Sequence, residues 1–97
     1  MLRWTQRARA DLKAIHDYIA KDAPINAKSV AREILERARL IEHAPRAGRE
    51  VPELGDKHLR EVPIHAWRVL YELRGRDIFI VTLVHKRRAP APEQLRG

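Results

Sequence analysis

The sequence contains no cysteine. Disulfides and thiolate metal sites are therefore excluded, and any core must hold by burial alone. Aromatic residues are scarce too, with two Trp, two Tyr and one Phe among 97 residues. The four glycines form no Gly-rich phosphate loop, and neither a GxSxG elbow nor a paired-carboxylate signature occurs. No apolar run approaches the roughly 20 residues of a transmembrane helix. Met1-Leu2-Arg3-Trp4-Thr5 runs straight into a helical pattern, without the apolar segment of a signal peptide. A cytoplasmic protein with no membrane partner is expected. His16, His43, His58, His65 and His85 lack metal-ligand spacing, so neither metal nor cofactor is expected.

Acidic residues are the other shortage. Asp plus Glu number 13 against 20 Lys plus Arg, a net charge of +7. That surplus attracts an anionic partner, either nucleic acid or an acidic protein. The length suits one domain with one modest core.

The chain is organised around Leu59 to Arg88, which predicts three short strands: Leu59 to Ile64, Trp67 to Leu73, and Ile78 to His85. Gly75 supplies the positive φ that a tight hairpin between the last two requires. Ile78 to Val84 is apolar on both faces, which predicts the central strand. Lys86-Arg87-Arg88 follows at once.

Upstream, Met1 to Trp4 reads as a brief opening strand and Thr5 as an N-cap. Ala8, Leu12, Ile15 and Ile19 form one helical stripe, with Arg7, Arg9, Asp11, Lys13, Asp17 and Lys21 on the remaining surface. Asp22-Ala23-Pro24 ends that helix, with Asp22 placed to cap the next and Pro24 in its first turn. A second helix is predicted from about Ile25 to Glu42. Ala27, Val30, Ala31, Ile34, Ala38 and Ile41 form its buried stripe, widened by Leu35 and Leu40. Pro45 to His58 is a long loop, and long loops inside small domains are often functional. The order β-α-α-β-β-β predicts an α+β domain over residues 1–88, its helical hairpin packed on an antiparallel sheet. Residues 89–97, with two prolines, read as a flexible, extended tail.

Strand alternation separates Arg68, Leu70 and Glu72 from Trp67, Val69, Tyr71 and Leu73. With the aromatic side against the helices, Arg68 points to the open face. Arg60 is expected to join it there, beside Lys86, Arg87 and Arg88. Such guanidinium groups offer paired donors to phosphate, and equally to carboxylates of an acidic protein. The alternative is that Arg60 and Arg68 pair with Glu61, Glu72 or Glu53. His85, at the strand end, is the histidine placed for general-base work, and Glu53 is a second candidate base or an ion-pair partner. The residues taken alone amount to a basic α+β domain with an arginine-rich open face.

Several segments, in register from Leu2 to about Arg88, together resemble the RelE/ParE superfamily of type II toxins. They are Trp4-Thr-x-x-Ala8-x-x-Asp11-Leu12-x-x-Ile15-x-x-Tyr18-Ile19, Gly48-Arg49-x-Val-Pro-Glu53-Leu, Leu59-Arg60-Glu61, Trp67-Arg68-Val-Leu-Tyr71 and Val84-His85-x-Arg87-Arg88. The resemblance implies the same fold and a cognate antitoxin that is acidic where it wraps the toxin. It also implies one of two targets. RelE-like members cleave messenger RNA on the ribosome, whereas ParE-like members poison DNA gyrase. No tyrosine follows Tyr71 and no terminal His-Tyr pair is present, so the nuclease set is incomplete, while Val84-His85-Lys86-Arg87-Arg88 resembles a ParE-like ending. Gyrase poisoning by binding is the favoured expectation, without catalytic residues and with Arg60, Arg68, Lys86, Arg87 and Arg88 toward the target. Under the nuclease alternative, Arg60, Arg68, His85 and Glu53 would form the site. A plain nucleic-acid-binding protein is the third possibility, weakened by the few aromatics and the lack of a stacking platform.

Overall fold

Thr5 starts the first helix, α1 (Gln6–Ala20), its hydroxyl accepting the Ala8 N–H at 3.1 Å. That satisfies one of the N–H groups a helix start leaves open. In this computed structural model, which describes residues 1–95, Ala8 is fully buried and Leu12, Ile15 and Ile19 pack on the core. The second helix, α2 (Pro24–Arg39), carries Pro24 in its first turn. Its N-cap is Ala23, without a side-chain bond, so Asp22 does not cap it.

Ala27, Val30, Ile34 and Ala38 form the buried stripe, continued by Ile41 in the 3-10 turn Leu40–His43. Leu35 and Leu40 do not widen it; Leu40 is 62% exposed. Each residue rotates a helix by about 100°, so Leu35 is turned away from Ile34, and Leu40 by twice that angle from Ala38.

The strands are β1 (Leu2–Trp4), β2 (Arg49–Glu50), β3 (Leu59–Ile64), β4 (Trp67–Arg74) and β5 (Asp77–His85), in the order β1-β5-β4-β3-β2. The α+β expectation holds, with three differences of detail. The sheet is mixed, because β1 runs parallel to β5 and the helical hairpin is the crossover between them. The long loop contributes an additional strand, β2. Finally, β4 is the centre of the sheet, and β5 is the interior strand beside it.

Gly75, at φ 58°, makes the β4–β5 turn, and His65, at φ 54°, makes the β3–β4 turn. The His65 ring lies 3.0 Å from Glu33 on α2, tying that hairpin to the helices. Opposite Leu70 and Tyr71, β5 carries a bulge at Val81. β1 covers β5 only as far as Ile80. Beyond it the start of α1 takes over: the Thr5 hydroxyl donates to the Val81 carbonyl at 3.0 Å, and Asp11 accepts the Leu83 N–H at 3.1 Å and the Thr82 hydroxyl. Asp11 is thus no surface filler. It closes a strand edge that would otherwise present open backbone groups.

The main core lies between the helices and the sheet, around Ile34, Ile64, Val69, Tyr71 and Ile80. On the opposite face Val51, Leu70 and Val84 form a smaller cluster, against which Leu59 and Leu95 pack. Leu95 belongs to a 3-10 turn, Pro92–Leu95, whose Gln94 donates to the Thr82 hydroxyl at 3.3 Å. Part of the tail expected to be extended therefore folds back on the sheet; residues 96 and 97 lie outside the described residues. No helix among the described residues is long and apolar enough to cross a membrane.

Candidate functional site at the end of the sheet

The side of the sheet away from the helices carries an ionic cluster centred on Arg68. In the β3–β4 register Arg68 stands opposite Pro63, which puts Glu61 on the same face one pair along. Arg68 donates from Nε to Glu61 Oε1 at 2.5 Å and from Nη2 to Glu61 Oε2 at 2.8 Å. Nη2 also donates to Glu53 Oε1 at 2.7 Å, and Nη1 to Glu53 Oε2 and to the Arg88 carbonyl, both at 2.9 Å. All five N–H donors of the guanidinium are thereby engaged. Arg68 is only 7% exposed and Glu61 2%. Arg49 adds a cation 3.3 Å from Glu61.

These contacts fix the protonation of Arg68 and Glu53. Hydrogen bonds from Arg68 hold the Glu53 carboxyl down at about 2, and Glu53 and Glu61 together raise Arg68 above its usual range. Glu53 is therefore a bound carboxylate at neutral pH, with no proton to deliver. Arg68 has no donor left for a phosphate. The expected pairing with glutamates describes Arg68; a free anion-binding position on the open face does not.

Arg60 is on the other face. It stands opposite Tyr71 in the register, toward the helices. Its Nη1 donates to the carbonyls of Gly48 at 2.9 Å and Arg46 at 3.3 Å, while Nε is buried without a partner. The Tyr71 hydroxyl donates to the Pro45 carbonyl at 2.7 Å and accepts the Gly48 N–H at 3.0 Å. Burial pushes that phenol up. A Cβ on Gly48 would run into the Tyr71 hydroxyl and stand 2.8 Å from the Glu61 carbonyl, so glycine is needed for close approach. Arg60 and Tyr71 together pin the loop before β2. Arg60 does not join Arg68, and its parity with the apolar Val62 and Ile64 already places it on their side.

At the end of β5 the arrangement differs. His85, Lys86, Arg87 and Arg88 are all exposed. Their backbone is nevertheless held: the Lys86 N–H reaches the Ala66 carbonyl at 2.8 Å and the Arg88 N–H the His85 carbonyl at 2.9 Å. The Arg87 N–H donates to His85 Nδ1 at 3.2 Å. The His85 ring meets Trp67 edge to face, with centroids 6.5 Å apart. A groove of about 820 Å³ opens here between α1 and the sheet end, bordered by Tyr18, Trp67, His85, Arg87 and Arg88.

Of the residues expected at the site, the structure groups His85, Arg87 and Arg88, with Lys86 in the same turn. It joins Arg68 to Glu53 on the opposite face and separates Arg60 from both. Strand alternation assigns Trp67 to the packed side and gives Tyr18 no role, yet both border the groove. An exposed aromatic at the edge of the α1 stripe is the signal for Tyr18. Among the described residues no group of three or more His, Asp or Glu could hold a metal ion.

The family model described as "ParE toxin of type II toxin-antitoxin system, parDE" matches residues 2–90. No curated protein sequence matches. A solved structure described as "Chromosomal ParDE TA system from P. aeruginosa" shares the fold, with a TM-score of 0.75 and 23% sequence identity over 87% of this chain and 92% of that one.

Proposed function

The chain belongs to the ParE toxin family of type II toxin–antitoxin systems, and on that premise we propose that it inhibits DNA gyrase by binding and is neutralised by a cognate antitoxin. The observation that carries the reading is a division of labour among its arginines. Arg60 and Arg68, which a ribonuclease would need free, are bound into the fold together with Glu53. Arg87 and Arg88 are exposed on a backbone held from both sides. Binding needs only the latter pair; the nuclease alternative needs Arg60, Arg68 and Glu53 free to act beside His85.

An antitoxin finds a suitable surface on the far side of the helical hairpin. There Trp4, Leu12 and Leu35 form an apolar groove rimmed by Arg9, Lys13 and His16. It continues past Leu2 to Arg32 and Arg39, with Glu36 and Glu42 alongside. An amphipathic segment with acidic flanks matches that mixture.

The test is a gyrase cleavage assay with purified protein, gyrase, ATP and supercoiled plasmid. Accumulated linear DNA after protein digestion is the expected result. No linear DNA, together with cut messenger RNA in a translation reaction, would overturn it and favour the ribosome-dependent nuclease.

A further inference from the structure

We propose that the groove between α1 and the end of the sheet binds single-stranded nucleic acid, with Arg87 and Arg88 on phosphates and Tyr18 and His85 against bases. The groove is large enough, at about 820 Å³, for a short stretch of strand. No carboxylate lines it, whereas the groove on the other flank of the hairpin is bordered by Glu36 and Glu42. An all-cationic rim suits a ligand whose negative charge is continuous, which a phosphodiester backbone is and a mixed-charge peptide is not.

The aromatic half of the site is built by the fold. Tyr18 comes from α1 and is 73% exposed, an unfavourable placing for a large ring unless something covers it. Trp67 begins β4 and His85 ends β5, paired across the sheet. Their edge-to-face contact, at 82° between planes, holds the imidazole from stacking flat on the indole. Small residues, Ala14 and Ala66, leave the space between α1 and this pair open. Rings beside guanidinium groups form the stacking platform and electrostatic groove that bind single strands without sequence preference.

The cations are also preorganised. Between Lys86 and Arg88 every backbone N–H is hydrogen-bonded within the chain, and Arg68 fixes the Arg88 carbonyl. Little backbone freedom remains to be lost on binding, which favours affinity. The site shares Arg87 and Arg88 with the gyrase reading but does not depend on it, since the ligand is tested without gyrase.

The experiment uses the Trp4→Phe protein, which leaves Trp67 as the only tryptophan, titrated with a short oligothymidylate. Quenching of Trp67 emission is expected. Tyr18→Ala should weaken binding roughly tenfold. Arg87→Gln with Arg88→Gln should reduce the slope of log affinity against log salt by about 1.4. Lys28→Gln with Lys57→Gln, the same charge loss at two exposed residues outside the groove, should leave quenching in place. Circular dichroism checks that each variant is folded. Absence of quenching, equal binding of poly-glutamate, or an unchanged affinity in Tyr18→Ala would each overturn the proposal. Oligonucleotide binding without gyrase poisoning would defeat the gyrase reading alone.

Discussion

Arg60 and Arg68 lie within strands, and Arg87 and Arg88 follow the last strand by two and three residues. All four have the same side chain, and all four were candidates for the same task. The strand pair is ordered by the fold through its side chains, Arg68 with every donor engaged and Arg60 through Nη1 with Nε unpaired; the terminal pair is ordered in its backbone and left open at its side chains. A guanidinium inside a sheet is desolvated and must find every partner within the chain. One just past the strand end keeps water for its charge while the strand fixes its direction. Position relative to the sheet, rather than residue type, separates scaffold from surface.

The sharpest way to break this comparison is Arg68→Ala. It leaves Glu61, almost wholly buried, without its main counter-charge, and a stability loss of about 3–5 kcal/mol is expected in urea unfolding. A loss below about 1 kcal/mol would mean that Arg68 is as dispensable to the fold as the terminal pair. Gly48→Ala comes next, at about 1–3 kcal/mol, because the new methyl meets the Tyr71 hydroxyl and the β3 backbone. Tyr71→Phe removes the hydroxyl, so the glycine substitution should cost less in that background. Additive losses would contradict the contact.

Acid should act on the interior cluster more gently. Glu53 has a folded-state pKa of about 2, below the ordinary carboxyl value of 4.5. Its contribution is therefore present above about pH 4.5 and is lost as pH falls toward 2. Urea unfolding between pH 5 and about 2 should show that decline, and Glu53→Gln should flatten it. Since the Glu53 side chain is 37% exposed, solvent screening keeps the effect well below that of Arg68→Ala. An equally steep decline in Glu53→Gln would assign the acid sensitivity to other groups.

The smallest change in stability is expected for Arg87→Gln with Arg88→Gln, within about 0.5 kcal/mol. Its functional effect should be the reverse, a loss of gyrase poisoning by tenfold or more. Intact poisoning would remove Arg87 and Arg88 from the target surface, and a large stability loss would erase their difference from the strand pair.

Helix boundaries were legible because they are set locally. Thr5 as a cap, Pro24 in a first turn and the stripes through Ala8 and Ile34 act over one or two turns of chain. Gly75 was legible for the same reason, as one backbone angle at one residue. The two-residue β2 was not, since its pairing with β3 depends on Arg60 and Tyr71 holding the loop that precedes it. The fate of the tail was equally hidden, because Leu95 folds back only where Val51, Leu70 and Val84 already form an apolar surface.

The sequence by itself determined the α+β class, the two helices, four of the strands and the excess of positive charge. These follow from periodicity, capping and composition, which act within a segment. Only the tertiary structure decided which partners each strand arginine meets, because alternation sorts the residues of one strand and register is needed to align two. That register set Arg60 opposite Tyr71 and placed Glu61 beside Arg68. Only the packing of α1 across the sheet end brought Tyr18, Trp67 and His85 to one groove. Rings far apart in the chain form no platform until burial of the helical stripe fixes where the helix lies.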